Sequence, residues 1–126
     1  MNYIVAILVL LLLDFAWIGL FMGNKYKKMI DTIQSNTLSV NYLYAMLSYC
    51  LMVLGLVYFV LPKISKENCL NDCLKYAVLF GIILYGVYDF TAAAVIKDWN
   101  IGLAIVDIMW GGFVFFCAAY AGCYFS

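Results

Sequence analysis

The sequence predicts an all-α integral membrane protein in which four transmembrane helices pack as a small bundle in one domain, residues 1–126. Hydrophobic residues make up 68% of the 126 residues and charged residues only 11%, against about 45–50% and about 25% in soluble domains. A fold of this size buries only about 60–70% of its surface, so a soluble protein would leave much apolar surface in water. The net charge is zero, and no basic patch predicts binding to nucleic acid.

Four apolar stretches are each long enough to cross about 30 Å of hydrocarbon, which takes about 20 helical residues. A chain in hydrocarbon must satisfy its own backbone hydrogen bonds, and these stretches lack the sustained alternation of barrel strands, so we expect helices. The predicted helices cover about residues 3–22, 42–61, 74–96 and 101–124.

Each predicted helix has its own justification. The first stretch continues past Asp14, no basic segment precedes it, and no small-residue cleavage site comes before Lys25, so it is predicted to be permanent rather than a signal peptide. The second ends at Pro62, the single proline of the chain. The third and fourth are separated only by the polar residues 97–100, which predict a tight turn.

The connections between the helices predict the orientation weakly. In the longest connection, 24–41, Met29, Ile30 and Ile33 recur at helical spacing and predict a short interfacial helix. The first and third connections together hold four lysines, and the connection 63–73 with its flank holds three. The lysine cluster in the first connection favours a cytoplasmic first loop with both termini outside, although this near balance would also suit a protein that inserts both ways.

The cysteines are predicted to be unpaired and structural. Three lie in spans, where cysteine behaves as a small hydrophobe. Two more lie four residues apart in the connection 63–73, and two thiols without histidine make a weak metal site. The chain contains neither histidine nor arginine, and we expect no cofactor and no metal. The cysteines are Cys50, Cys69, Cys73, Cys117 and Cys123.

Three carboxyl groups, those of Asp14, Asp89 and Asp107, lie inside predicted spans. Each costs about 2.5–3.5 kcal/mol near a helix centre, and such residues usually face the bundle interior and serve a function. No lysine lies in the apolar middle of a span. The carboxyl groups are therefore either neutral because they hold a proton, or ionised and compensated by a cation. Both cases predict a proton- or cation-binding site.

Aromatic residues recur beside these aspartates. Asp14 and Trp17 in the first span, and Asp107 and Trp110 in the fourth, both read D-x-x-W. A spacing of three places both side chains on one helix face, and the indole N–H can donate to a carboxylate. Two such motifs in the first and last spans hint at a pseudo-symmetric arrangement or an old repeat. The predicted pocket-lining residues are Trp17, Trp110, Tyr85, Tyr88 and Thr91.

The combined pattern D-x-x-W-[LI]-G, Y-D-x-T, W and D-x-x-W-G resembles a family of small four-helix membrane proteins of unknown function, found in bacteria and some large DNA viruses. One position departs from the family pattern, because Ala92 stands where that pattern continues with asparagine. The resemblance implies the fold and the choice of residues but no activity. The matching residues are Asp14, Trp17, Ile18, Gly19, Tyr88, Asp89, Thr91, Trp99, Asp107, Trp110 and Gly111.

We therefore predict a proton- or cation-linked transporter or channel that uses its intramembrane aspartates and has no catalytic residues. One bundle of 14.3 kDa offers little room for a permeation path, so the expected partners are the lipid bilayer, protons or small cations, and further copies of the chain. Two alternatives stay open. One is a membrane enzyme that acts on a lipid through paired carboxylates, although no cationic group lies near them to hold phosphate. The other is a structural or assembly protein with Asp–Trp packing contacts.

Overall fold

A computed structural model describes residues 2–17, 42–96 and 99–126, and all regular structure in these ranges is helical. Three helical segments are long and apolar enough to cross a membrane, and the helix at the start of the chain is a shorter apolar one. The predicted class, an all-α membrane bundle, is confirmed. The helices are α1, Tyr3–Trp17; α2, Tyr42–Gly55, continued by a π turn, Leu56–Val60, and a 3-10 turn, Leu61–Lys63; α3, Lys66–Val95; and α4, Ile101–Tyr124.

Several predicted helix ends agree with the structure. Helix α1 begins at Tyr3, α4 covers Ile101–Tyr124, and Pro62 lies in the 3-10 turn that ends α2. Asn100 begins α4 because its side-chain oxygen accepts a hydrogen bond from the backbone N–H of Leu103 at 3.1 Å. The predicted continuation of the first helix to residue 22 and the predicted interfacial helix lie outside the described residues.

The predicted connection 63–73 is wrong from Lys66 onward, because α3 begins there and not at residue 74. The Asp72 carboxylate accepts hydrogen bonds from the backbone N–H and the hydroxyl of Ser65, both at 2.8 Å. These bonds fold the residues before the helix back onto its first turns, so only Ile64 and Ser65 separate α2 from α3. A helix of 30 residues is about 45 Å long, and its polar first turns extend beyond the hydrocarbon.

Helix α4 is the centre of the bundle, with α1 and α3 packed against it. Glycines allow the closest approach, since a Cβ on Gly81 of α3 would lie 2.6 Å from the carbonyl carbon of Gly111 and 2.9 Å from the nitrogen of Gly112. The backbones of α3 and α4 are therefore in contact at these glycines. The largest fully buried apolar side chains come from α1, α3, α4 and the π turn that continues α2, and they are Phe115, Leu10, Leu56, Val60, Val114 and Cys73.

Two contacts show that both described chain ends lie at one end of the bundle. The backbone N–H of Asn2 donates to the carbonyl oxygen of Gly122 at 2.9 Å, so α1 begins where α4 ends. Cys69, in the first turns of α3, forms a disulfide with Cys123 in the last turn of α4, with their Cα atoms 6.1 Å apart. We call this the terminal end of the bundle, and the opposite end, where α3 finishes and α4 begins, the turn end.

The disulfide corrects the prediction that all cysteines are unpaired, which is wrong for Cys69 and Cys123. That prediction placed Cys69 in a loop, whereas the early start of α3 fixes it on a helix beside the last turn of α4. Cys50, Cys73 and Cys117 are free thiols, as predicted.

Candidate functional site

The three predicted aspartates are all buried in the bundle, although each comes from a different helix. Asp14 of α1 is 3% exposed, Asp89 of α3 is 0% exposed and Asp107 of α4 is 7% exposed. They are the buried charged residues among the described parts of the chain. Asp14 and Asp107 each accept a hydrogen bond from an aromatic side chain.

The carboxyl group of Asp14 is a meeting point of all four helices. The Tyr85 hydroxyl of α3 donates a hydrogen bond to Asp14 Oδ1 at 2.5 Å. The side chains of Tyr49 from α2 and Trp110 from α4 are further polar neighbours of this carboxyl group, and Asp107 is close enough to interact with it electrostatically. Asp14 and Asp107 therefore belong to one cluster rather than to two separate sites.

The two D-x-x-W motifs are paired across the helices. Trp17 Nε1 donates to Asp107 Oδ1 at 3.1 Å, while Trp110 lies beside Asp14. The two indole rings stack with centroids 4.4 Å apart and planes 7° from parallel. The tryptophan of each motif thus lies beside the aspartate of the other motif. Because α1 and α4 run antiparallel, the two motifs are related by an approximate two-fold axis, as in an inverted repeat.

Tyr85 reaches Asp14 because α4 has no side chain at Gly111. A Cβ there would lie 2.6 Å from Tyr85 Cδ1 and 2.8 Å from the carbonyl oxygen of Gly81. The tyrosine ring therefore passes over the backbone of α4 to reach α1. The glycine of the second D-x-x-W-G motif thus has a local physical role, which is to make room for the ring that holds the first aspartate.

Asp89 lies one helical turn beyond Tyr85 on α3, on its buried side. Tyr88, whose ring is more than half exposed, interacts electrostatically with both Asp89 and Asp107. Thr91 does not join the cluster, because two residues turn a helix by about 200° and its side chain is exposed. The structure thus brings together all the predicted site residues except Thr91.

Tyr49 was not among the predicted site residues. Helix α2 has no intramembrane acid, and nothing in its run of apolar and tyrosine residues marks one tyrosine as special. In the structure, the ring of Tyr49 stacks on Phe15 with centroids 5.2 Å apart, which places its hydroxyl near Asp14. Tyr49 can therefore be identified as a site residue only from the packing of α2 against α1.

The cluster lies in the half of the bundle nearest the turn end. Asp89 is six residues before the end of α3 and Asp107 six residues after the start of α4, which places both about 9 Å from that end. The described lysines, Lys63, Lys66 and Lys75, are exposed at or near the terminal end. The remaining lysines lie outside the described residues.

Within residues 2–17, 42–96 and 99–126, no group of three or more carboxylates and thiols is placed to hold a metal ion. The carboxyl groups receive hydrogen bonds from a phenol and an indole instead.

The fold and the site define a small integral membrane protein with carboxyl groups clustered inside a helical bundle. The chain belongs to the family described as "Predicted membrane protein (DUF2177)", whose model matches residues 1–124. This confirms the resemblance to a family of small membrane proteins. No curated protein and no solved structure matches the chain.

Proposed function

We propose that this protein is a proton- or cation-linked transporter or channel, and that Asp14, Asp89 and Asp107 bind and release the ion. The observation that supports the proposal is the burial of carboxyl groups from three helices inside one bundle, and two of them, Asp14 and Asp107, interact with each other. Asp14 and Asp107 share aromatic partners. Asp107 and Asp89 share Tyr88 as a neighbour.

The energetics favour this role over packing alone. A buried aspartate near the centre of a span costs about 2.5–3.5 kcal/mol on insertion scales. A side-chain hydrogen bond between transmembrane helices contributes about 0.6 kcal/mol on average. Each of the bonds from Trp17 and Tyr85 therefore contributes less than the burial of the carboxyl group costs. A function that needs ionisable groups gives a further reason for acids to lie in the spans.

The proposal includes a homo-oligomer. Toward the terminal end the interior of one copy is filled by Leu10, Leu56, Val114 and Phe115, all of them fully buried. A path that continues from the aspartates through this half would therefore run between copies. Mass measurement of the detergent-solubilised protein, corrected for bound detergent, tests this part of the proposal, and a mass of one chain would contradict it.

The transport proposal predicts that Asp89→Asn and Asp107→Asn each reduce flux to the level of protein-free liposomes. The reason is that an amide of nearly the same shape cannot bind and release a proton or balance a cation. Proton and monovalent-cation flux would be measured in liposomes containing the reconstituted protein.

Asp72→Asn is the matched control. Asp72 lies at the terminal end, away from the cluster, and an amide oxygen can still accept the hydrogen bonds of Ser65. Its flux should equal that of the unmodified protein. Normal flux in both cluster variants would end the proposal. If the unmodified protein shows no flux and the two cluster variants fail to assemble, a structural role would be favoured. A lipid product that forms only with a divalent metal would favour an enzyme.

A further inference from the structure

The groups that surround Asp14 and Asp107 can all donate hydrogen bonds, and besides Tyr85 and Trp17 they are Tyr49 from α2, Tyr88 from α3 and Trp110 from α4. Tyr85 presents its O–H to Asp14 Oδ1, and Trp17 presents its N–H to Asp107 Oδ1. An indole N–H is a donor only and has no lone pair for a cation. Half of the oxygen atoms of this carboxyl pair therefore already face hydrogen atoms.

A metal cation needs the opposite surroundings. Hard cations are held by several oxygen lone pairs, about six to eight for calcium and about six in octahedral geometry for magnesium. The hydrogens that Tyr85 and Trp17 direct at the two Oδ1 atoms repel such a cation there, and the indole offers it no lone pair. A proton needs only one oxygen lone pair and leaves the donors where they are.

Resting on the proposed function, we infer that the ion bound by Asp14 and Asp107 is a proton and not a metal cation. In the binding step an O–H bond forms on one carboxylate oxygen, and the charge of the pair changes by one unit. Tyr85 keeps its own proton and continues to donate to Oδ1. Release breaks the new O–H bond and restores the carboxylate.

Infrared spectroscopy of the purified protein in nanodiscs tests this inference without measuring transport. A protonated carboxyl group gives a carbonyl stretching band, which would be followed against pH in choline, sodium and potassium chloride. We expect the band to be lost in part in Asp14→Asn and to shift in Tyr85→Phe, which leaves every carboxyl group in place. Its pH midpoint should be the same in all three salts, and Asp72→Asn should leave the band unchanged.

The outcomes separate this inference from the proposed function. A band that sodium or potassium removes at constant pH, or no band at any pH, overturns the proton inference. Sodium flux combined with such displacement would keep the transport proposal and reject the proton. A salt-independent band in a protein without flux would keep the proton site and reject transport.

The disulfide independently supports an inference about orientation. Disulfides persist in oxidising compartments and are rare in the cytosol, and the Cys69–Cys123 bond lies at the terminal end. In the sequence, the first and third connections between the predicted spans hold four of the seven lysines, a slight excess in the direction expected for the cytoplasmic side. We infer that the terminal end faces the extracytoplasmic side. The aspartate cluster then lies in the cytoplasmic half of the membrane.

Labelling with a membrane-impermeant maleimide in intact cells tests the orientation. The reporters Ser126→Cys and Lys97→Cys would be placed in a chain whose free cysteines are replaced by alanine. We expect Ser126→Cys to be labelled before permeabilisation and Lys97→Cys only afterwards. A gel shift on reduction, lost in Cys69→Ser and kept in Cys50→Ser, would report the disulfide. The reverse labelling pattern, labelling of both reporters from outside, or no gel shift would overturn the inference.

Discussion

Phe115→Ala is expected to lower the free energy of unfolding by about 3 kcal/mol, at the lower end of the range for large aromatic side chains in cores. Phe115 is fully buried in α4, and its ring meets the edge of Phe80 with centroids 5.2 Å apart. Helix association in membranes depends on van der Waals packing, so the cavity removes contacts that lipid cannot replace. Reversible unfolding in mixed detergent micelles would measure the loss.

Phe59→Ala is the matched control for this experiment. Phe59 is 70% exposed on the outside of the bundle, where lipid tails replace its few lost contacts. We expect a change within about 0.5 kcal/mol, as for substitutions outside the packed interior. Equal losses in the two variants would show that the α4 face around Phe115 is not the core of the bundle.

The class of fold is predictable from the sequence because the length of an apolar stretch is a local property. Four stretches of about 20 residues leave few arrangements in a bilayer. The start of α3 is not predictable in this way, since Lys66, Glu67 and Asp72 are typical of a loop. Their helical conformation depends on Ser65, which bonds to Asp72, and the disulfide of Cys69 becomes visible only once that helix is in place.

Most members of the candidate site stand out in the sequence, although Tyr49 does not, and the contacts between the members cannot be read from it. Asp14 and Asp107 stand out because acids are rare in spans, and the spacing of three residues places each beside its own tryptophan. That Trp17 bonds to the aspartate of the other motif depends on the register of α1 against α4. Residue spacing within one helix contains no information about that register.

The exclusion of Thr91 could have been deduced from helical geometry. Thr91 follows Asp89 by two residues, a rotation of about 200°, so one buried helix face cannot include both. Tyr85, four residues before Asp89, lies on the same face, and its hydroxyl donates a hydrogen bond to Asp14. Tyr88 is about 100° away and lies at the edge of that face.

Gly86→Ala is the matched control for Gly81→Ala, a substitution of another glycine in the same helix, α3. A Cβ added to Gly86 meets nothing within 4 Å, so the substitution should leave the free energy of unfolding unchanged or raise it by up to about 1 kcal/mol through helix propensity. Gly86 and Gly81 lie on the same helix and the change is chemically identical. Any difference between the two variants therefore reports the packing around Gly81.

Gly81→Ala is expected to lower the free energy of unfolding by about 3 kcal/mol, the upper end of the usual cost of overpacking. The added methyl group would overlap the carbonyl group of Gly111, and a backbone cannot rotate away as a side chain does. Helices α3 and α4 must separate, and the Tyr85 ring, which passes over Gly111, then moves away from Asp14. Gly81→Ala should therefore also shift the carboxyl infrared band, as Tyr85→Phe does. A destabilised protein with an unchanged band would mean that Tyr85 is held to Asp14 independently of the contact between α3 and α4.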